Sequence, residues 1–97
     1  MTTFDANSQK LNKKEFQIAL GQRIKELREK KNISQTELGN LCEIERTNMN
    51  RIEAGNTNPT SYTLYRIAQK LEIDLPDLFE FKPGFLLLLL LINTGML

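Results

Sequence analysis

The chain has 97 residues, 13 Lys or Arg against 12 Asp or Glu, one cysteine and no histidine. That length fits one small helical core of about five helices and is too short for two independent domains. Without histidine, and with a single cysteine, the usual zinc sites, a Cys-His nucleophile pair and a Ser-His-Asp triad cannot be built. No glycine-rich phosphate loop is present, and Asp74 with Asp77 reads as a helix start, not a catalytic carboxylate pair. The sequence therefore points to no enzyme, no metal and no cofactor. A lone cysteine fits a reducing cytoplasm, and Cys42 falls on an apolar stripe where a small core residue belongs.

Residues 1–11 are polar and without periodicity, and read as a mobile arm. Asn12 with Glu15 makes a capping box for a first helix ending near Lys31, with Phe16, Leu20, Ile24 and Leu27 along one side. Ser34 with Glu37 makes a second capping box, so the next helix begins at about Gln35, with Leu38, Leu41 and Cys42 as its buried stripe. Glu43 to Glu45 interrupt the pattern over a stretch suited to a tight turn between helices. From Arg46 to Ala54, Met49 and Ile52 are the apolar pair, so Arg46, Thr47, Asn50 and Arg51 project from the opposite side until Gly55 ends the helix.

Those four side chains have a common chemistry. Arginine can donate two hydrogen bonds to guanine O6 and N7, asparagine can pair with adenine N6 and N7, and threonine offers a hydroxyl and a methyl to thymine. A solvated, charge-rich helix face would have the same composition, so the surrounding pattern has to decide between the two readings.

That pattern is Ile24-x-x-Leu27-Arg28, then Ser34-Gln35-x-x-Leu38, then Arg51-Ile52-Glu53-x-Gly55 followed by Asn58-Pro59, and last Leu64-x-x-Ile67-Ala68-x-x-Leu71. In order and spacing, over roughly Gln22 to Leu78, it resembles the phage repressor and Cro-like helix-turn-helix domains, the XRE family. The resemblance implies an all-α, compact five-helix bundle of the phage-repressor DNA-binding type spanning residues 12–81. It places Arg46, Thr47 and Arg51 where the family reads bases, with Asn50 on the same exposed face. It puts Ser34, Gln35, Asn56 and Asn58 among the DNA-backbone contacts, Gln35 also bracing the recognition side chains. Arg28 and Glu53 match an ion pair tying the first helix to the end of the recognition helix, an architectural role. Two positions depart from the family: Glu43 stands where glycine is usual in the turn, and Glu45 where Ser or Thr usually caps the next helix. Both add negative charge beside the DNA face.

Beyond the motif, Thr60 or Ser61 caps a fourth helix whose Leu64, Ile67, Ala68 and Leu71 face inward, and Tyr62 and Tyr65 fit either base stacking or, the favoured expectation, partial burial. Asp74 opens a short fifth helix containing Leu75, Leu78 and Phe79, which Lys82-Pro83-Gly84 stops. Residues 82–97 form an apolar tail with eight consecutive large apolar residues, Phe85 to Ile92. That run is far below the roughly 20 residues a bilayer-crossing helix needs. Removing each such side chain from water is worth about 1.5 to 3 kcal/mol, so the tail should be covered. Packing against its counterpart across a two-fold axis makes it a candidate dimerisation element; folding back on its own core is the other solution. Periodicity leaves a leucine run open between helix and strand.

Net charge is only +1, yet residues 1–31 carry +4 and residues 32–97 carry −3. Flanking phosphate contacts are thus expected from Lys10, Lys13, Lys14, Arg23, Lys25, Lys30 and Lys31. The leading expectation is a cytoplasmic, sequence-specific transcriptional regulator binding double-stranded DNA at a palindromic operator as a homodimer. The other is a protein-interaction module, antitoxin-like, in which the tail engages a partner and DNA contact is weak. Repressor of a mobile element, restriction-modification controller and antitoxin all fit the same residues.

Overall fold

A computed structural model describes residues 10–93 and Gly95, and every element among them is helical. Helix α1 runs Lys13–Lys30, α2 Gln35–Cys42, α3 Arg46–Ala54 and α4 Ser61–Leu71. A short 3-10 helix, Leu75–Phe79, leads to α5, Pro83–Asn93. Of the expected arm, only Lys10 and Leu11 lie within the described residues, and Leu11 packs beside Ala19 of α1.

The helix starts are set locally. Asn12 and Glu15 exchange side-chain and backbone hydrogen bonds at 2.8 and 2.9 Å, and Ser34 and Glu37 do the same at 3.0 and 2.7 Å. Thr60, not Ser61, caps α4, its hydroxyl accepting from the Thr63 N–H at 3.1 Å. The ends are set by left-handed residues, Glu43 after α2, Gly55 after α3 and Glu72 after α4. Only α3 requires glycine there. A Cβ on Gly55 would lie 2.7 Å from the Ile18 Cα, whereas Glu43 and Glu72 are exposed and have room for theirs.

One core joins these pieces: Leu20, Ile24 and Leu27 of α1, Leu38 and Cys42 of α2, Met49 and Ile52 of α3, Leu64, Ile67, Ala68 and Leu71 of α4, and Leu78. Helix α3 crosses α1 so closely that a Cβ on Gly21 would sit 2.5 Å from the carbonyl oxygens of Ile52 and Glu53. The crossing fixes the outward side of α3. Burial raises the Cys42 thiol pKa, against the opposing pull of Arg66 and Lys70, which keeps it a neutral core side chain.

Several expectations need correction. Leu41 is 48% exposed, because only Leu38 and Cys42 of the expected stripe point at the core. Phe16 also reaches the surface, its ring stacked on Phe79 and edge-on to Phe81. Tyr62 and Tyr65 stand exposed as a tilted pair, with Arg66 over the Tyr62 ring. The expected fifth helix is a 3-10 helix: it has five residues, Pro76 lacks an N–H, and the bonds span three residues, from Asp77 N–H to the Asp74 carbonyl and from Glu80 N–H to the Asp77 carbonyl.

The 3-10 helix ends at Phe79, ahead of Pro83, and Pro83 opens a further helix, its fixed φ and missing N–H suiting the first helical position. The apolar run Phe85 to Ile92 therefore lies in a helix. Phe85 packs with Phe81 near Ala19, and Lys82 Nζ lies 3.0 Å from the Glu26 carboxylate, so α5 rests on α1. Leu87, Leu88 and Ile92, at helical spacing on one side, remain 43 to 56% exposed. Among the described residues no helix is long and apolar enough to cross a membrane, and no cluster of three potential metal ligands occurs.

Candidate nucleic-acid interface

The turn into α3 is closed by backbone bonds from Glu43 N–H to the Asn40 carbonyl and from Ile44 N–H to the Gly39 carbonyl, at 3.2 and 2.8 Å. Glu43 adopts φ +57° to make it, a positive-φ conformation that favours glycine. Glu45, at the N-cap of α3, makes no side-chain capping bond. The first amides of α3 thus rely on solvent or a ligand.

Met49, Ile52 and Glu53 are the buried residues of α3, and Arg46, Thr47, Asn48, Asn50 and Arg51 are exposed. The guanidinium groups of Arg46 and Arg51 make no ion pair or hydrogen bond among the described residues. Two shallow depressions flank the exposed row, sharing Thr47. One is lined by Gln35, Arg46, Thr47 and Asn50, the other by Glu43, Glu45, Thr47, Asn48 and Arg51. Asn48 was missed by the sequence reading, although two inward positions on a helical wheel leave it facing out beside Arg51.

Beneath that row is a buried ion pair. Arg28 donates from Nε to Glu53 Oε2 at 2.7 Å, from Nη2 to Glu53 Oε1 at 3.0 Å, and from Nη1 to the Ile33 carbonyl at 2.8 Å. The bidentate bond to Glu53 raises the Arg28 pKa despite its burial. Glu53 Oε1 also accepts from Gln35 Nε2 at 3.0 Å, and Gln35 Oε1 accepts from Asn50 Nδ2 at 3.4 Å. One network therefore links α1, the start of α2 and the outer face of α3.

The other named residues divide by whether the fold engages them. The Ser34 hydroxyl is used in its cap, and Asn58 is exposed. Asn56 Oδ1 accepts from Lys14 Nζ at 2.7 Å, and the same ammonium donates to the Gly55 carbonyl at 2.7 Å. Lys14 is thus turned onto the C-terminus of α3, where its charge opposes the negative end of the helix dipole. Arg23 donates to the Asp77 carbonyl at 2.8 Å, and Lys31 pairs with Glu72 at 2.6 Å. These three of the seven expected phosphate contacts are committed within the fold. Lys10, Lys13, Lys25 and Lys30 have no ion pair among the described residues, and Lys25 lines a groove with Gln35, Asn50 and Ala54 beside the exposed row.

Two short helices meeting at a tight turn, the second presenting a braced polar row, define a helix-turn-helix. The helix-turn-helix domain family matches over residues 21–81, and the chain belongs to it, as an XRE-type domain. Among solved structures it is similar to the restriction-modification controller protein C.AhdI from Aeromonas hydrophila, at 32% identity and a TM-score of 0.63, over 64% of this chain and 94% of that one. It is also similar to an HTH_3-family transcriptional regulator from Vibrio cholerae, at 26% identity and a TM-score of 0.68, over 75% of this chain but only 41% of that one. The clp gene regulator ClgR from Corynebacterium glutamicum shares the fold, with a TM-score of 0.73 at 18% identity over 84% of this chain and 86% of that one. No curated protein matches the chain significantly.

Proposed function

We propose that this chain is a cytoplasmic, sequence-specific DNA-binding transcriptional regulator that lays α3 in the major groove of an operator and catalyses nothing. The observation that carries the reading is the exposed row Arg46, Thr47, Asn50 and Arg51 on a helix whose buried side is locked by the Arg28–Glu53 pair. Such a row is a set of hydrogen-bonding groups of the kind that read base edges, and a fixed helix gives them the defined register that reading requires. Ser34, Gln35, Asn56 and Asn58 surround it as candidate backbone contacts, with Lys25 as an added cation. Membership of the helix-turn-helix family supports the same reading, as do the regulators it resembles.

The near-zero net charge has a mechanistic consequence. With Glu43 and Glu45 beside α3 and three basic side chains tied up in the fold, phosphate attraction is weak and discrimination rests more on base contacts. A salt titration with selected and random duplexes tests this. A selected site should bind on the order of 10³-fold more tightly than random DNA, with affinity falling as salt rises but with a shallow slope, since few phosphates are neutralised. Arg46→Ala should cost about 1 to 3 kcal/mol and relax preference at one base position. Equal affinity for all duplexes would overturn the reading.

The exposed stripe Leu87, Leu88 and Ile92 favours a homodimer joined through α5, which would set two copies of α3 about 34 Å apart and require a palindromic operator. A chain ending at Lys82 should sediment as a monomer; an unchanged dimer would remove α5 from the interface. The same stripe carries the second reading, a protein-interaction module whose tail engages a different protein, and a full-length monomer that selects no DNA site would favour it.

A further inference from the structure

A helix about 10 to 12 Å across fills a major groove about 12 Å wide, so each of its long sides meets one phosphate backbone. The two sides of α3 are unequally prepared for that. Beside Asn50 lie Gln35 and the ammonium of Lys25. Beside Thr47 and Asn48 the fold sets two carboxylates, Glu43 and Glu45, which repel phosphate. Among the described residues Arg51 alone lines that second depression with a positive charge, and it belongs to the row proposed for bases.

A further guanidinium adjoins Glu43. Arg66 of α4 brings Nη2 to 3.7 Å from Glu43 Oε1, and its guanidinium carbon lies 5.9 Å from the centre of the Tyr62 ring. The ring steadies the cation through its face. The carboxylate holds it weakly, because 3.7 Å is too long for a hydrogen bond and the Glu43 side chain is 78% exposed. Exposed pairs of this kind contribute little, whereas a phosphate offers arginine two short, charge-assisted hydrogen bonds. A phosphate arriving on this side therefore displaces Glu43.

We infer that Arg66 is the DNA-phosphate ligand for the strand on the Glu43 side, and that Glu43 occupies it in the free protein as a stand-in for that phosphate. The inference rests on the DNA-binding reading and deepens it by assigning the contact to the second strand. On binding, the guanidinium leaves Glu43 and keeps its place over Tyr62. Arg66 also has an architectural use: α2 carries no basic residue in its last turn, and Arg66 beside Glu43 sets a positive charge near the negative end of that helix. The two roles differ in what they do to DNA.

The test measures binding of selected and random duplexes over a range of salt by the full chain and by Arg66→Gln, Glu43→Gln and the double variant, with thermal unfolding of each. Arg66→Gln should weaken both kinds of duplex by about tenfold at low salt, and flatten the dependence of log affinity on log salt by about 0.9, the share of one phosphate. Glu43→Gln should bind about threefold more tightly with its base preference intact, and this gain should shrink once Arg66 is replaced, since no cation is left to release. Arg66→Lys, which keeps the charge but loses the fork, should restore the slope and only part of the affinity. In a scan of the selected duplex with single methylphosphonates, which lack the phosphate charge, one position should weaken the parent and leave Arg66→Gln unaffected.

An Arg66→Gln variant with the parent's salt slope, and with every methylphosphonate felt equally by both proteins, would overturn the inference and leave Arg66 to architecture, whatever its Tm. A parent that selects a site yet shows no phosphate dependent on Arg66 loses this inference alone. Equal affinity of the parent for all duplexes loses the base-reading proposal, and the slope on random DNA still decides for or against Arg66. A parent that binds no duplex loses both.

Discussion

Helices α3 and α5 each turn toward solvent a side that no other part of the described chain covers, and they are held in opposite ways. Behind α3 are Met49 and Ile52 in the core, a bidentate buried ion pair, and the Lys14 ammonium on its last turn. Behind α5 are the packing of Phe85 near Ala19 and one half-exposed ion pair from Lys82. A polar side held rigidly suits recognition by direction, since hydrogen bonds weaken steeply when misaligned. An apolar side held lightly suits recognition by area, since the hydrophobic effect has no direction.

The sharpest way to break the comparison is Arg28→Ala. It strands the Glu53 carboxylate under α3, and removing one partner of a buried pair typically costs about 3 to 5 kcal/mol. Thermal unfolding should show a large fall in Tm, and the loss of DNA binding should follow the loss of fold. A variant that melts like the parent but no longer binds DNA would move Arg28 from architecture to the interface. On the arginine side the pH dependence has a definite sign: because Glu53 raises the Arg28 pKa, what the Arg28 charge contributes is present below its unfolded-state value and fades only as pH climbs through the folded one. Arg28 therefore stays charged throughout the neutral range.

A smaller effect sharpens the α3 side. Glu43 holds φ +57° at the entry to α3, a conformation that costs a non-glycine residue roughly 1 to 2 kcal/mol. Glu43→Gly relieves it at some cost in chain entropy, so a net gain of about 1 kcal/mol in unfolding free energy is expected. The substitution also removes a negative charge from the edge of the exposed row, so random DNA should bind more tightly while the selected site gains less. Unchanged random-DNA affinity would show that Glu43 does not shape the field there.

The two helices also differ in how far the sequence reveals them. Caps at Asn12, Ser34 and Thr60 and the inward pair Met49 and Ile52 are legible because each is decided within a few residues. The ion pair of Arg28 with Glu53 spans 25 residues and is visible only through family resemblance. What escapes is what distant partners decide. Lys14, Arg23 and Lys31 belong to a basic run that reads as phosphate-facing, but acceptors 41 to 54 residues away draw them into the fold. Leu41 and Phe16 lie at stripe edges, where periodicity gives the side of a helix but not the reach of its neighbours. A run of leucines carries no phase at all, so α5 declared neither its secondary structure nor its inward side.

The lightest test falls on α5. Lys82 reaches Glu26 of α1 at 3.0 Å, with 58% of its side chain exposed, and exposed pairs of this kind contribute about 0 to 1 kcal/mol. Lys82→Ala should therefore leave the Tm of the core nearly unchanged, while amide exchange in α5 quickens if the pair helps hold the helix on α1. Salt should mimic the substitution, because an exposed pair is screened. Because the stripe Leu87, Leu88 and Ile92 is untouched, the self-association proposed for it should persist in the variant. Loss of the dimer in Lys82→Ala would mean that the angle at which α5 leaves α1 matters as much as its apolar area, and the contrast with α3 would narrow to one of degree.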